Sequence, residues 1–124
     1  YRVDLLKAIH YEATRAGLDP ELVLGLIEVE SGFKKYAVSS VGARGLMQVM
    51  PFWVKEIGTA EHNLFHLRTN LRYGCTILRH YLNIERGDLF RALGRYNGSL
   101  GKADYPNLVK AAWHKHWVLP NRIQ

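Results

Sequence analysis

Glu30 closes an apolar run, Leu22-Val23-Leu24-Gly25-Leu26-Ile27-Glu28-Val29-Glu30, and is followed at once by Ser31-Gly32. Read as a helix, Leu22, Val23, Leu26 and Ile27 form one stripe, and Glu30 and Ser31 are the next positions on it. A carboxylate on that stripe loses hydration, and the negative end of the helix dipole opposes its charge. Both effects raise its pKa above the usual value of about 4.3. A carboxyl protonated near neutral pH can give its proton to a leaving oxygen. The spacing leaves a second reading open, in which Glu30 pairs with an arginine or turns to solvent as its helix ends.

Two other stretches have residue types suited to chemistry. Tyr96 lies on an apolar stripe, so its hydroxyl needs a polar partner in the interior, and Asn97 follows where the helix ends. Gly42-Ala43-Arg44-Gly45 precedes Leu46-Met47-Gln48; glycines admit a close backbone approach, and a glutamine can read an amide with donor and acceptor together. A core tyrosine with a capping asparagine, and a plain turn before a short helix, explain the same residues equally simply. Other chemistry is excluded more firmly. His62 and His66 stand four apart without a zincin glutamate, so no metal is expected. Ser31, Ser39, Ser40 and Ser99 lack a nucleophile-elbow context, and no phosphate-binding loop is present.

The elements that must position these residues all read as helices. Residues 3–16 space Leu5, Leu6, Ile9, Ala13 and Ala16 at helical intervals, and Gly17 stops them. Asp19-Pro20-Glu21 starts a second helix by capping, by proline in the first turn and by a favourable dipole charge; it runs to about Ser31. An ordered loop over 33–45 leads to a helical turn at Leu46–Met50 and a short helix over 52–57, followed by a loop to 66. Thr69 is expected to cap a long helix from Asn70 to about Arg86, with Leu71, Cys75, Leu78 and Leu82 as its stripe. Asp88 is expected to cap the next, with Leu89, Ala92, Leu93 and Tyr96, and Asn97-Gly98-Ser99 to break it. A last helix from Pro106 to about Trp117 is expected to bury Leu108, Val109, Ala112 and Trp113. No segment alternates with period two, so the class is all-α: one compact domain, residues 1–124, of about six or seven helices.

Composition agrees with an ordinary globular chain, 48% hydrophobic and 23% charged, long enough to bury a core without metal or disulfide. Cys75 stands alone and reads as a small buried apolar residue. No apolar stretch approaches the ~20 residues of a membrane span, so no stable membrane insertion is expected. The absence of an initiator Met and of a signal peptide suggests a mature or excised domain. A net charge of +6 spread along the chain favours an anionic partner.

Taken in order, Glu30-Ser31-Gly32-Phe33, Ala37 to Pro51 with Gly45-Leu46-Met47-Gln48-Val49-Met50-Pro51 at its end, Asn70-Leu71 with Gly74, and Tyr96-Asn97-Gly98 resemble the soluble lytic transglycosylase (SLT) catalytic domain. The resemblance covers about residues 3–117. It implies a lysozyme-like helical fold with a substrate groove, acting in the periplasm or cell envelope on peptidoglycan glycan strands. The implied reaction cleaves the β-1,4 bond between N-acetylmuramic acid and N-acetylglucosamine and leaves a 1,6-anhydromuramic acid end. No cofactor is implied; a monomer is, together with cell-wall or secretion-machinery proteins as further partners. The family's catalytic acid falls on Glu30, its neighbouring serine on Ser31, its substrate-contacting Met and Gln on Met47 and Gln48, and its Tyr-Asn pair on Tyr96 and Asn97. Two positions depart from the pattern: Phe65-His66-Leu67 replaces a common Asp-Pro, and Arg95 replaces a common Ala.

Glycoside hydrolysis with two carboxylates places them about 5–5.5 Å apart for retention and further apart for inversion. Here no second acid stands out beside Glu30; Glu56, Glu61 and Asp104 are the nearest candidates. A substrate N-acetyl group can replace the missing nucleophile. In that scheme Glu30 acts as acid and then as base, with Ser31 near its carboxyl and Tyr96 orienting it or stabilising the charge that develops. Met47, Gln48 and Asn97 bind the sugar, and Trp53, Tyr36 or Tyr105 can stack on sugar faces, although Trp53 suits the core better. Three rivals remain: a goose-type lysozyme that hydrolyses the same bond, a basic nucleic-acid-binding domain, and a silent wall-binding module. A carboxylate on an apolar face is useless to the last two, so no nucleic-acid partner is expected.

Overall fold

The computed structural model describes residues 1–117. Its elements are α1 (Arg2–Arg15), α2 (Pro20–Ser31), α3 (Phe52–Ile57), α4 (Leu67–Ile84), α5 (Leu89–Asn97) and α6 (Asp104–Ala112), with a π-helical turn at Trp113–Trp117. The all-α class expected from the spacing is the class observed. Among the described residues the only β pairings are isolated bridges at Val38–Arg44 and Arg44–Val49.

Local chemistry explains both ends of α2 and of α5. The Asp19 side chain accepts from the Glu21 amide at 2.8 Å, and Pro20 takes the first turn of α2. Asp88 caps α5 by accepting from the Arg91 amide at 3.1 Å. Gly32 (φ 59°) and Gly98 (φ 76°) close α2 and α5 in the left-handed conformation, so the residue that turns the chain after Tyr96 is Gly98, and Asn97 is still helical.

Four expectations are corrected. Helix α4 begins at Leu67 after His66, not at Asn70 under a Thr69 cap; the Asn70 amide already makes a helical bond to the His66 carbonyl at 2.9 Å. Leu46–Met50 is no helical turn, because Gly45 (φ 77°) and Gln48 (φ 53°) both leave the helical region and Arg44 pairs with Val49. In α6 Leu108 is 58% exposed, since Pro106, Val109 and Ala112 take the buried face. On α1, Leu6 points outward, and the buried polar position is Glu12.

The helices pack in a ring, α1 on α2, α2 on α6, α6 on α5, α5 on α4 and α4 back on α1. The core inside it includes Ile9, Leu26, Ile27, Leu46, Met47, Leu71, Leu78, Leu93 and Val109, and each such side chain contributes roughly 1.5–3 kcal/mol by leaving water. Gly25 lets α2 approach the end of α6 closely: a Cβ there would stand 2.9 Å from the Trp113 backbone. Glu12, almost wholly buried, accepts from Arg15 Nε at 2.9 Å and Arg72 Nε at 3.2 Å, which ties α1 to α4. Cys75 is fully buried as expected, and burial pushes its thiol pKa up to about 12.

Candidate active site

Glu30 stands in the last turn of α2, half-buried on the stripe that Leu22, Val23, Leu26 and Ile27 bury completely or nearly so. Desolvation raises its pKa to about 7, and a hydrogen bond to its carboxylate lowers it by a smaller amount. That bond comes from α6: the Tyr105 hydroxyl donates to Glu30 Oε2 at 2.5 Å. Burial, and next the charge of Glu30, raise the Tyr105 pKa well above its ordinary value, so Tyr105 is the proton donor in the pair. The shift on Glu30 thus arises from burial, and no neighbouring carboxylate is among its causes. Glu30 forms no ion pair among the described residues.

Of the remaining residues singled out in the sequence, Ser31, Met47, Gln48 and Tyr96 meet in one short segment beside Glu30. The Ser31 hydroxyl is buried and lies 2.8 Å from the Leu46 carbonyl and 3.2 Å from that of Ile27. It therefore meets backbone, not the carboxyl of Glu30. The Tyr96 hydroxyl donates to the Met47 carbonyl at 2.7 Å and so holds the segment, whereas the hydroxyl bonded to Glu30 is that of Tyr105. Tyr96 is nonetheless close enough to feel Glu30: burial raises its pKa well above the usual value, and the Glu30 charge adds to that. The Met47 side chain is fully buried, with Cys75 Sγ 3.9 Å from its sulfur. In this conformation it forms the floor of the site, with no surface offered to a sugar.

Gln48 is half-buried in the left-handed backbone region, where a non-glycine residue is held only by its surroundings. Those surroundings include its own side chain, whose Nε2 donates to the Ala37 carbonyl at 3.1 Å and the Gly45 carbonyl at 3.0 Å. Its amide oxygen accepts no hydrogen bond among the described residues. Asn97 is exposed and donates to Ser99 Oγ at 2.8 Å.

Two residues gain roles that the sequence reading did not give them. Tyr105, considered there as a sugar-stacking ring, is only 7% exposed and is the partner of Glu30. Asn70, 1% exposed, accepts from the Met47 amide at 2.8 Å and donates to the carbonyls of Arg44 (2.9 Å) and Leu64 (2.8 Å). Ser31 from α2, Asn70 from α4 and Tyr96 from α5 together fasten the Leu46–Met47 peptide units. A signal for Asn70 was available: it is a polar residue on the apolar stripe of α4, as Glu30 is on that of α2.

The departures from the family pattern are local. Arg95 and Arg91 both pair with Glu85, joining α5 to the end of α4; the Arg91 contact is 2.7 Å. The Phe65 amide donates to Asn63 Oδ1 at 2.9 Å, and His66 precedes α4 without a side-chain cap. Among the described residues no group of His, Cys, Asp and Glu is placed to hold a metal, and no helix is long and apolar enough to cross a membrane.

Comparison with known proteins bears on the family and the fold. The family described as Transglycosylase SLT domain matches residues 7–115. The "Transglycosylase" of Enterobacteria phage PRD1 is 38% identical over 95 residues, covering 76% of this chain and 34% of that protein. "Membrane-bound lytic murein transglycosylase C" of Actinobacillus pleuropneumoniae is 52% identical over 46 residues, covering 37% of this chain and 13% of that protein. The chain therefore spans about a third of the length of the first of these curated relatives and 13% of the second. Among solved structures, lytic transglycosylase Slt from Pseudomonas aeruginosa superposes with a TM-score of 0.70 at 25% identity, over 86% of this chain and 20% of that one. The 70 kDa soluble lytic transglycosylase of Escherichia coli shares the fold, with a TM-score of 0.65 at 21% identity over 88% of this chain and 19% of that one.

Proposed function

We propose that this chain, which belongs to the transglycosylase SLT domain family, cleaves the β-1,4 bond between N-acetylmuramic acid and N-acetylglucosamine in peptidoglycan and closes a 1,6-anhydro ring. The observation that carries the reading is Glu30 itself: half-buried, with a pKa near 7, and hydrogen-bonded by a tyrosine. A carboxyl balanced between its two protonation states at neutral pH can give a proton in one step and take one in the next.

In the first step neutral Glu30 protonates the glycosidic oxygen while the 2-acetamido oxygen of the substrate attacks the anomeric carbon. In the second, the Glu30 carboxylate takes the proton of the C6 hydroxyl, and that oxygen displaces the acetamido oxygen from the anomeric carbon. Glu30 returns to its acid form and no water enters. Tyr105 steadies the carboxylate between the two steps. The free amide oxygen of Gln48 and the side chain of Asn97 are suited to bind the sugar's amide and hydroxyls, holding the C6 hydroxyl in position to outcompete water. Met47, Ser31 and Tyr96 act at one remove, by fixing the segment that carries Gln48.

Action on the cell wall places the whole protein in the cell envelope, with peptidoglycan glycan strands as its partner. Digestion of purified sacculi followed by mass spectrometry tests the reading. Products lighter by one water than reducing-end fragments are expected, and they should disappear in Glu30→Gln. Reducing ends alone would replace transglycosylation with hydrolysis.

A further inference from the structure

The loop that leaves Glu30 carries a group of side chains to which the reaction above gives no task. Tyr36 is 70% exposed, and its ring centroid lies 6.1 Å from that of half-buried Phe65 at a 41° tilt. Each ring also carries a cation. Lys35 Nζ is 5.4 Å from the Tyr36 centroid and the Arg44 guanidinium carbon 5.7 Å from that of Phe65. Neither Lys35 nor Arg44, nor neighbouring Lys34, is paired with a carboxylate among the described residues.

This pair of rings is built on rigid backbone. The Ala37 carbonyl, next to Tyr36, accepts from the Gly45 amide at 2.8 Å and from Gln48 Nε2. Asn70 binds the carbonyls of both Arg44 and Leu64, which sets Arg44 beside Phe65. Residues that position the catalytic segment therefore also position the rings. An exposed aromatic on a fixed loop contributes little to the core, whereas a flat apolar ring edged by hydrogen-bond donors and positive charge suits a pyranose face next to an anion.

We infer that Tyr36 and Phe65, flanked by Lys35 and Arg44, form an outlying subsite for peptidoglycan strands, in which a ring stacks on a sugar and the cations hold the carboxylates of the attached peptide. The inference rests on the substrate class proposed above. Continuity with the Glu30 segment, and cations opposite an acidic peptide, favour this occupant over a lipid surface.

Binding separates this subsite from catalysis. In a Glu30→Gln background, co-sedimentation with sacculi is measured before and after an amidase has stripped the peptides. Tyr36→Ala should weaken binding about tenfold to both forms, the loss of one stacking contact, and Tyr36→Trp should restore it. Arg44→Ala should weaken binding only to peptide-bearing sacculi, with a reduced salt dependence. Unaltered binding in Tyr36→Ala, or loss in Tyr36→Trp as well, overturns the subsite. So does a Tyr36 dependence seen on anionic phospholipid vesicles and not on sacculi. These readouts need no turnover, so a wild-type digest without anhydro products would defeat the proposed reaction and leave the subsite to be judged by its own result.

Discussion

The Tyr105 hydroxyl lies 2.5 Å from Glu30 Oε2, across the contact between α6 and α2. This bond is the one hydrogen bond among the causes of the Glu30 pKa, and it acts against burial. Removing it in Tyr105→Phe leaves desolvation unopposed, so the Glu30 pKa should rise above its value of about 7. Because the first step needs the acid form, activity falls as pH rises through that pKa, and the alkaline limb should move to higher pH. The second step loses stabilisation of the carboxylate, and kcat should drop roughly 10–100-fold, the value of a hydrogen bond to a charged group. The check is a pH–rate profile on sacculi; a lower rate with an unmoved alkaline limb would remove Tyr105 from the proton chemistry.

Glu30→Gln should make the fold more stable as well as inactive, and only above a certain pH. The folded-state pKa of Glu30 is raised from 4.5 to about 7, so between those values the folded chain holds a proton that the unfolded chain has released. Stability from this group is therefore full below about 4.5 and declines as pH rises through about 7. Above that pH the native carboxylate costs up to about 3 kcal/mol, which glutamine does not incur. Urea denaturation at pH 8 should show the variant more stable than wild type, and at pH 4 the two should nearly coincide. A difference independent of pH would mean that Glu30 is hydrated.

The sequence disclosed Glu30 because a charge on an apolar stripe is a local anomaly, visible in the spacing of four neighbours. Asp19 and Asp88 were legible for a similar reason, since capping depends on residues within one turn. Tyr105 was not, because its partner is 75 residues away and a buried tyrosine does not announce which oxygen it will meet. Ser31 and Tyr96 were picked out correctly as polar groups on buried faces, but spacing alone cannot choose between a ligand and a backbone carbonyl. Thr69 failed as a cap because tertiary demand prevailed: Asn70 uses its side chain to hold two loops, and α4 begins a turn earlier to place it there.

Asn70 carries a prediction of its own. Asn70→Ala removes the partners of the Met47 amide and the Leu64 carbonyl at one stroke, and leaves the Arg44 carbonyl with only the Val49 amide. Each buried backbone group left unpaired costs about 1–3 kcal/mol, so for two such groups a loss of roughly 2 kcal/mol or more is expected. Thermal melting should show it as a decrease of about 6 °C or more. Activity should fall before the fold is lost, since the segment carrying Gln48 loosens first. A variant melting within about 2 °C of wild type would mean that water substitutes for the side chain without penalty.

Gly74 and Met47 should behave as a coupled pair. A Cβ on Gly74 would stand 2.3 Å from Met47 Sδ and 2.7 Å from Met47 Cβ, closer than any packed contact allows. Gly74→Ala should therefore destabilise the fold by about 1–3 kcal/mol through overpacking, despite the better helix propensity of alanine. Met47→Ala alone should cost about 2–5 kcal/mol by opening a cavity in the core. Together the two changes relieve each other, because the new methyl group enters the space that the thioether leaves. The double variant should be more stable than the sum of the single losses by at least about 1 kcal/mol. Urea denaturation of all four proteins measures that coupling, and strict additivity would show that Met47 moves aside freely and does not fix the floor of the site.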